Sequence, residues 1–95
     1  MAEIIARALR PKPSKASVLR REVLAFLARG PQPSEIVAFR PSEATAERIR
    51  TLLGYSKERA LTLDEEAEMD DIGDVDLMVS QLKALARLHL KQGAA

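Results

Sequence analysis

Few side chains in this sequence could take part in chemistry, and they do not converge on a catalytic pattern. The chain contains no cysteine and a single histidine, His89. Thiol catalysis, disulfide frameworks and cysteine-ligated zinc are therefore excluded. His89 falls in register with the apolar residues of a helical pattern, where a lone histidine is more often a packed or rim residue than a catalytic base or a metal ligand. The sequence predicts a protein that is not an enzyme and that binds no cofactor or small-molecule substrate.

An acidic cluster in the last third of the chain is the second candidate for chemistry. Residues 70–76 read Asp-Asp-Ile-Gly-Asp-Val-Asp, which invites comparison with a calcium-binding loop. Such a loop needs glycine at its sixth position and glutamate at its twelfth. Here Gly73 is the fourth residue and Gln81 the twelfth, and the surrounding periodicity is helical. We expect no metal site and interpret the acids as a solvated or partner-facing ridge.

Charge is distributed unevenly along the chain, although its net charge is only +1. Residues 1–30 carry +5 (seven bases, two acids), residues 31–60 carry +1 (five bases, four acids), and residues 61–95 carry −5 (three bases, eight acids). Such asymmetry suggests that the two ends meet different partners, for example a polyanion and a basic protein. Mutual neutralisation of the ends, within a monomer or between two copies, would explain the pattern equally well.

The basic N-terminal third suggests contact with DNA phosphates, which dominate non-specific affinity. The candidate nucleic-acid-binding residues are Arg7, Arg10, Lys12, Lys15, Arg20 and Arg21. No aromatic side chains alternate with these bases, so stacking on single-stranded bases is not expected. The proline-rich breaks at 11–13 and 31–33 are longer and stiffer than the turn of a helix-turn-helix motif.

The elements that must position these residues are predicted to be helices, which makes the fold class all-α. Apolar spacing and stop signals predict short helices over about 2–10, 18–29 and 43–57, and one long helix over about 63–91. Ser17, Ser42 and Thr62 are the predicted N-caps, and Thr62 forms a capping box with Glu65. Residues 35–39 fit either a helical turn or a short strand.

The long helix carries an apolar stripe that is too wide for the helix to bury by itself. The helix over 43–57 can fold back on its first half, which leaves the second half in need of another partner. Whether the helix continues through Gly73 remains open, because glycine weakens a helix interior. We divide the chain into a basic helical arm, 1–33, and a hairpin-like module, 34–95, that contains the long helix.

No targeting or membrane-spanning pattern is visible in the sequence. The first six residues include Glu3 where a signal peptide carries bases, and their apolar run is too short. No apolar stretch approaches the length of a membrane span. We therefore expect a cytoplasmic protein without a membrane partner.

Three runs between residues 34 and 90 resemble those of a known family. Residues 36–42 read IVAFRPS, residues 61–70 read LTLDEEAEMD, and residues 82–87 read LKALAR. Together they resemble a group of small bacterial proteins that is frequent in cyanobacteria and often encoded beside small nuclease-like genes. This chain departs from the family at Leu63, where proline is usual, and at Gly73, where a bulky residue is usual. The resemblance implies an antitoxin of a toxin–antitoxin system.

We therefore expect an antitoxin-like protein whose acidic amphipathic helix binds and neutralises a small partner protein. The predicted apolar anchors are Ile72, Val75, Met78, Val79, Leu82 and Leu85. The predicted acidic contacts are Asp70, Asp71, Asp74 and Asp76. The basic arm is expected to contact DNA or to support dimer formation. The alternative function is a homo-oligomeric helical scaffold, in which the second half of the long helix pairs with its own copy.

Overall fold

The computed structural model describes residues 16–93, and every regular element in this range is an α-helix. The helices are α1 (Val18–Ala28), α2 (Pro33–Val37), α3 (Glu43–Glu58) and α4 (Leu63–Gly93). The predicted all-α class is confirmed, and the three predicted helices in this range end within two residues of their predicted bounds. The predicted helix over 2–10 lies outside the described residues.

Three helices begin at the predicted caps. Ser17 Oγ accepts a hydrogen bond from the Arg20 amide at 3.1 Å, and Ser42 Oγ accepts one from the Thr45 amide at 3.3 Å. At the start of α4, the Glu65 amide donates to Thr62 Oγ1 at 3.1 Å while the Thr62 amide donates to Glu65 Oε1 at 2.8 Å. Each cap satisfies amides that lack a partner within the helix and contributes about 0.5–2 kcal/mol.

Residues 33–37 form a helical turn, so the strand alternative for 35–39 is wrong. The chain reverses at Gly30, whose φ of 66° is the left-handed conformation that glycine adopts without strain. Pro33 then occupies the first position of α2, where its missing N–H is not needed. The Gln32 amide donates to Glu35 Oε1 at 2.7 Å, which fixes the first turn.

Neither glycine within the longer helices interrupts them. Helix α3 continues through Gly54 to Glu58, and α4 continues through Gly73 to Gly93. A 31-residue helix is roughly 46 Å long. Helix α4 is therefore the axis along which the other three helices pack.

One hydrophobic core joins α1, α3 and the first half of α4. Its buried residues are Leu19, Val23, Leu52, Ile72 and Val75. Seven partly buried residues surround it: Leu27, Phe39, Ile49, Tyr55, Met69, Met78 and Val79. Because α1 supplies two of the five buried residues, the predicted boundary at residue 33 does not separate two units within 16–93. Residues 1–15 of the proposed arm lie outside the described residues.

The short helix α2 covers the core side of α4 beyond Val79. Ile36 of α2 and Leu82 of α4 line the same small cavity, and Ala86 is 6% exposed. The rings of Phe26 and Phe39 lie 4.8 Å apart and hold the loop after α2 against α1. The inner side of α4 is thus covered by this chain as far as Ala86, whereas the outer side and residues 87–93 are exposed.

Candidate protein-binding surface

The predicted apolar anchors of α4 divide between the core and the surface. Ile72 and Val75 are 7% and 0% exposed and pack against Leu19, Val23 and Leu52. These two side chains hold α4 to α1 and α3. Their assignment as partner anchors is therefore corrected, because a partner could reach them only if the domain unfolded.

The remaining anchors lie at the edge of the core or beyond it. Met78, Val79 and Leu82 are half-buried, and Met78 and Val79 pack against the core residues. Leu85 is 64% exposed. The structure therefore leaves one predicted anchor fully available and three others partly available.

Leu24 of α1 is 53% exposed, and helix geometry places it on the same side of the domain as these anchors. It follows Arg20 by one helical turn, so both side chains are on the same side of α1. Arg20 is paired with Asp71 of α4, which shows that this side of α1 faces α4. Met78 follows Asp71 by two turns and lies on the corresponding side of α4.

We call the exposed and half-exposed residues on this side the docking surface. It consists of Leu24, Met78, Leu82 and Leu85. The sequence did not reveal Leu24, because it lies outside the apolar stripe of α1. The sequence does place Leu24 one turn after Arg20. That spacing indicates a position next to α4 only once Arg20 is known to pair with Asp71.

Asp71 links the start of α1 to the middle of α4. Its Oδ1 lies 2.7 Å from an Arg20 guanidinium nitrogen, and its Oδ2 accepts a hydrogen bond from the Ser17 amide at 3.0 Å. The hydrogen bond from Arg20, together with those from Ser17, lowers the pKa of Asp71 to about 2. Its assignment as an acidic partner contact is corrected, because this carboxylate already has its partners within the domain.

The other three predicted acids are exposed. Within residues 16–93, no ion pair involves Asp70, Asp74 or Asp76. Asp70 and Asp74 are one helical turn apart, on the outer side of α4. They form the ridge that the sequence predicts, with Asp74 one turn before Met78 of the docking surface.

The predicted DNA-binding residues are mostly outside the described range. Arg7, Arg10, Lys12 and Lys15 lie outside it. Within it, Arg20 is held by Asp71, so its assignment as a phosphate contact is corrected. Arg21 is exposed and donates to the carbonyl oxygen of Ala16 at 2.8 Å.

An apolar groove of about 360 Å³ lies on the other side of α4. Phe39, Ile49, Met69 and Val79 are among its lining residues. Its charged lining residues are Asp76 and Lys83, and Lys83 Nζ donates to the Phe39 carbonyl oxygen at 2.8 Å. The groove contains no nucleophile–base pair.

His89 is exposed, so of the two expected positions, packed or at the rim of the apolar stripe, it is not packed. Within the described residues, no group of three or more histidine, cysteine, aspartate or glutamate side chains could hold a metal ion. None of the helices over 16–93 is long and apolar enough to cross a bilayer. The available chemistry of the surface is thus apolar contact and charge pairing.

Comparison with known proteins gives no family for this chain. No protein-family model matches it, and no significant match was found among curated proteins or solved structures. The resemblance to antitoxin-like proteins therefore stays a prediction.

Proposed function

We propose that this chain is a non-enzymatic, antitoxin-like protein that binds and neutralises a small partner protein through its docking surface. The observation that carries the proposal is the exposure of apolar side chains on the sides of α1 and α4 that carry the Arg20–Asp71 pair. Leu24 and Leu85 are 53% and 64% exposed. Isolated exposed leucines are ordinary, whereas leucines grouped around half-exposed apolar neighbours are typical of interaction sites.

The exposed acids of α4 indicate that the partner is basic. Asp70 and Asp74 are exposed on the outer side of α4, and Asp74 precedes Met78 by one turn, so a bound basic side chain would find both an apolar contact and a carboxylate. Asp76 is exposed at the groove on the other side of the helix. Proteins that bind nucleic acids carry basic surfaces. A small basic nuclease, of the kind implied by the resemblance, therefore fits this surface better than an acidic or neutral protein.

The docking surface is tested with a partner and a matched control. The partner is the product of the adjacent gene, if that gene encodes a small basic protein. Leu24→Asp places a charge within the docking surface, whereas Leu63→Asp places one at the exposed start of α4, where Leu63 is 84% exposed. Both side chains are exposed, so circular dichroism should show a folded protein in each case.

We expect wild type and Leu63→Asp to co-purify with the partner and to relieve its toxicity. Leu24→Asp should do neither, because an uncompensated charge in an apolar contact opposes binding. Equal binding by Leu24→Asp and wild type would refute the docking surface. Absence of binding by the wild type would leave the homo-oligomeric scaffold as the better reading.

DNA contact by the basic N-terminal segment is the second part of the proposal. Residues 1–15 contain four bases and one acid, a net charge of +3. Removal of residues 1–15 should abolish band shifts at low salt, whereas Arg21→Ala should weaken them slightly. The deletion stops at 15 because Ser17 and Leu19 are buried and belong to the fold. Unchanged DNA binding after the deletion would exclude this segment as the contact.

A further inference from the structure

The outer side of α4 carries a row of exposed residues with leucine at both ends, on a different side of the helix from Met78, Leu82 and Leu85. Its residues are Leu77, Gln81, Ala84 and Leu88, which we call the outer seam. Leu77 and Leu88 are 60% and 50% exposed, and Gln81 and Ala84 are also exposed. Because each residue turns the helix by about 100°, the side chains of these four residues point in directions that differ by no more than roughly 60°. They point away from Val75, whose side of α4 is covered by the core.

We propose that a second copy of this chain binds the outer seam, with the two α4 helices antiparallel. The spacing of four, three and four residues repeats the a and d positions of a heptad, the pattern of a helix that pairs with another helix. Leucine at both ends provides the contacts, and the small Ala84 with the flexible Gln81 allows close approach at the centre.

Charge fixes the direction of the pair. The same heptad positions continue to Asp74 before the seam and to Lys91 after it. In a parallel pair in register, Asp74 would face Asp74 of the partner subunit and Lys91 would face Lys91 of the partner subunit, which is repulsive. In the antiparallel pair, Leu77 faces the partner's Leu88.

The antiparallel register also places Asp74 opposite the partner's Lys91, and Lys91 opposite the partner's Asp74. Gln81 then faces the partner's Ala84. The two helices overlap over residues 74–91, a length of about 27 Å, and one attractive charge pair lies at each end of this overlap. Because the outer seam points away from the core, the two bodies lie on opposite sides of the helix pair and do not collide.

Charge reversal tests the register. Asp74→Lys alone creates two lysine–lysine contacts, and Lys91→Asp alone creates two aspartate–aspartate contacts. Each variant should dimerise at least about tenfold more weakly than wild type in sedimentation equilibrium at low salt, a loss that salt should reduce. An equimolar mixture should recover wild-type association, because both charge pairs become attractive in the heterodimer. Unchanged association of the single variants would overturn the proposal, as would a wild type that is monomeric at every concentration.

Cross-linking tests the direction independently. Because the chain contains no cysteine, any disulfide that forms must join the single cysteines that are introduced. A mixture of Leu77→Cys and Leu88→Cys should give the disulfide-linked heterodimer on mild oxidation, and neither variant should link efficiently to itself. Leu63→Cys, as exposed but outside the overlap, is the control. Self-linked Leu77→Cys would indicate a parallel pair and overturn the proposal.

Asp74 borders both surfaces, but Leu24 and Leu77 each belong to only one, so mutation of these two leucines separates the dimer from the docking surface. Leu24 lies on α1, outside the outer seam, so Leu24→Asp should leave the dimer intact. Leu77→Asp should abolish the dimer and leave partner binding by the monomer. Loss of both activities in Leu77→Asp, with α4 still helical by circular dichroism, would contradict the separation of the two faces.

Discussion

Replacement of Asp71 by alanine should be among the most destabilising changes outside the apolar core. The carboxylate has two sets of partners: the Arg20 guanidinium, with contacts of 2.7 and 2.9 Å to Oδ1, and the amide of Ser17 at 3.0 Å. It therefore joins the first residues of α1 to α4 across 54 residues of sequence.

The size of the effect follows from these two partners. The hydrogen bonds to a charged group contribute about 1.5–3 kcal/mol, a range reduced by the 34% exposure of the Arg20 side chain. Ser17 is 3% exposed, so its amide would be left without a partner at a cost of about 1–3 kcal/mol. We expect Asp71→Ala to lower the free energy of unfolding by about 3 kcal/mol, a large share of the stability of a small domain.

The assay is urea unfolding followed by circular dichroism, with two comparison variants. Asp70→Ala makes the same substitution on the adjacent exposed residue and should change stability by less than about 0.5 kcal/mol. Asp71→Asn retains an acceptor for the Ser17 amide, so its free energy of unfolding should lie between those of Asp71→Ala and wild type. If Asp71→Ala unfolds at the same urea concentration as Asp70→Ala, the link between α1 and α4 does not contribute as argued.

Three other predictions concern the same fold. The pKa of Asp71 falls from 3.8 to about 2 on folding, so its contribution of about 1–2 kcal/mol is present above pH 4 and is lost as the pH falls towards 2. Glu65 and Glu68 also have lowered pKa values, so acid should still weaken Asp71→Ala, but by less than wild type in urea titrations at pH 2–5. Gly73→Ala should raise the free energy of unfolding by about 0.5–1 kcal/mol, since the site is helical and a Cβ there meets nothing within 4 Å; a lower melting temperature would contradict this. Leu52→Ala should lower the free energy of unfolding by about 2–5 kcal/mol, because Leu52 is 0% exposed, and a loss below 1 kcal/mol would show that the core is not packed as described.

Local features of the fold could be predicted from the sequence because they depend on neighbouring residues. The hydroxyl oxygens of Ser17, Ser42 and Thr62 accept hydrogen bonds from the amides three residues later, so each cap is encoded within a single turn. The extent of the last helix follows from its periodicity in the same way. At 35–39 the β-branched residues suggested a strand, but Pro33 at the first position of a helix and the Glu35 contact to the Gln32 amide stabilise a turn of helix instead.

The candidate site could be predicted only in part, because periodicity does not show which part of a stripe is covered. Val75 and Leu85 belong to the same stripe of α4, yet one is 0% and the other 64% exposed. The difference arises because Leu85 lies about 80° around the helix axis from Val75, at the edge of the side that the other helices cover, whereas its neighbour Ala86 is 6% exposed. Leu24 likewise belongs to the docking surface only because of the direction in which α1 crosses α4.

The acids of α4 reconcile the two interpretations of the uneven charge. Glu65, Glu68 and Asp71 follow one another by three residues, and they pair with Arg59, Arg48 and Arg20, respectively, at 2.9, 2.8 and 2.7 Å. These pairs tie the acidic helix to basic residues of the preceding elements, so part of the charge asymmetry is neutralised within the monomer.

Asp70 and Asp74 lie on the outer side of the same helix, about 100° and about 60° around the axis from Asp71, respectively. Acids on this side contribute little to the stability of the monomer, because no cation of residues 16–93 pairs with them. A functional role for the acidic composition therefore has to be sought in these outer residues, where a change of charge alters what the helix binds without altering how it folds. This separation is what makes Asp74→Lys a test of binding and Asp71→Ala a test of stability.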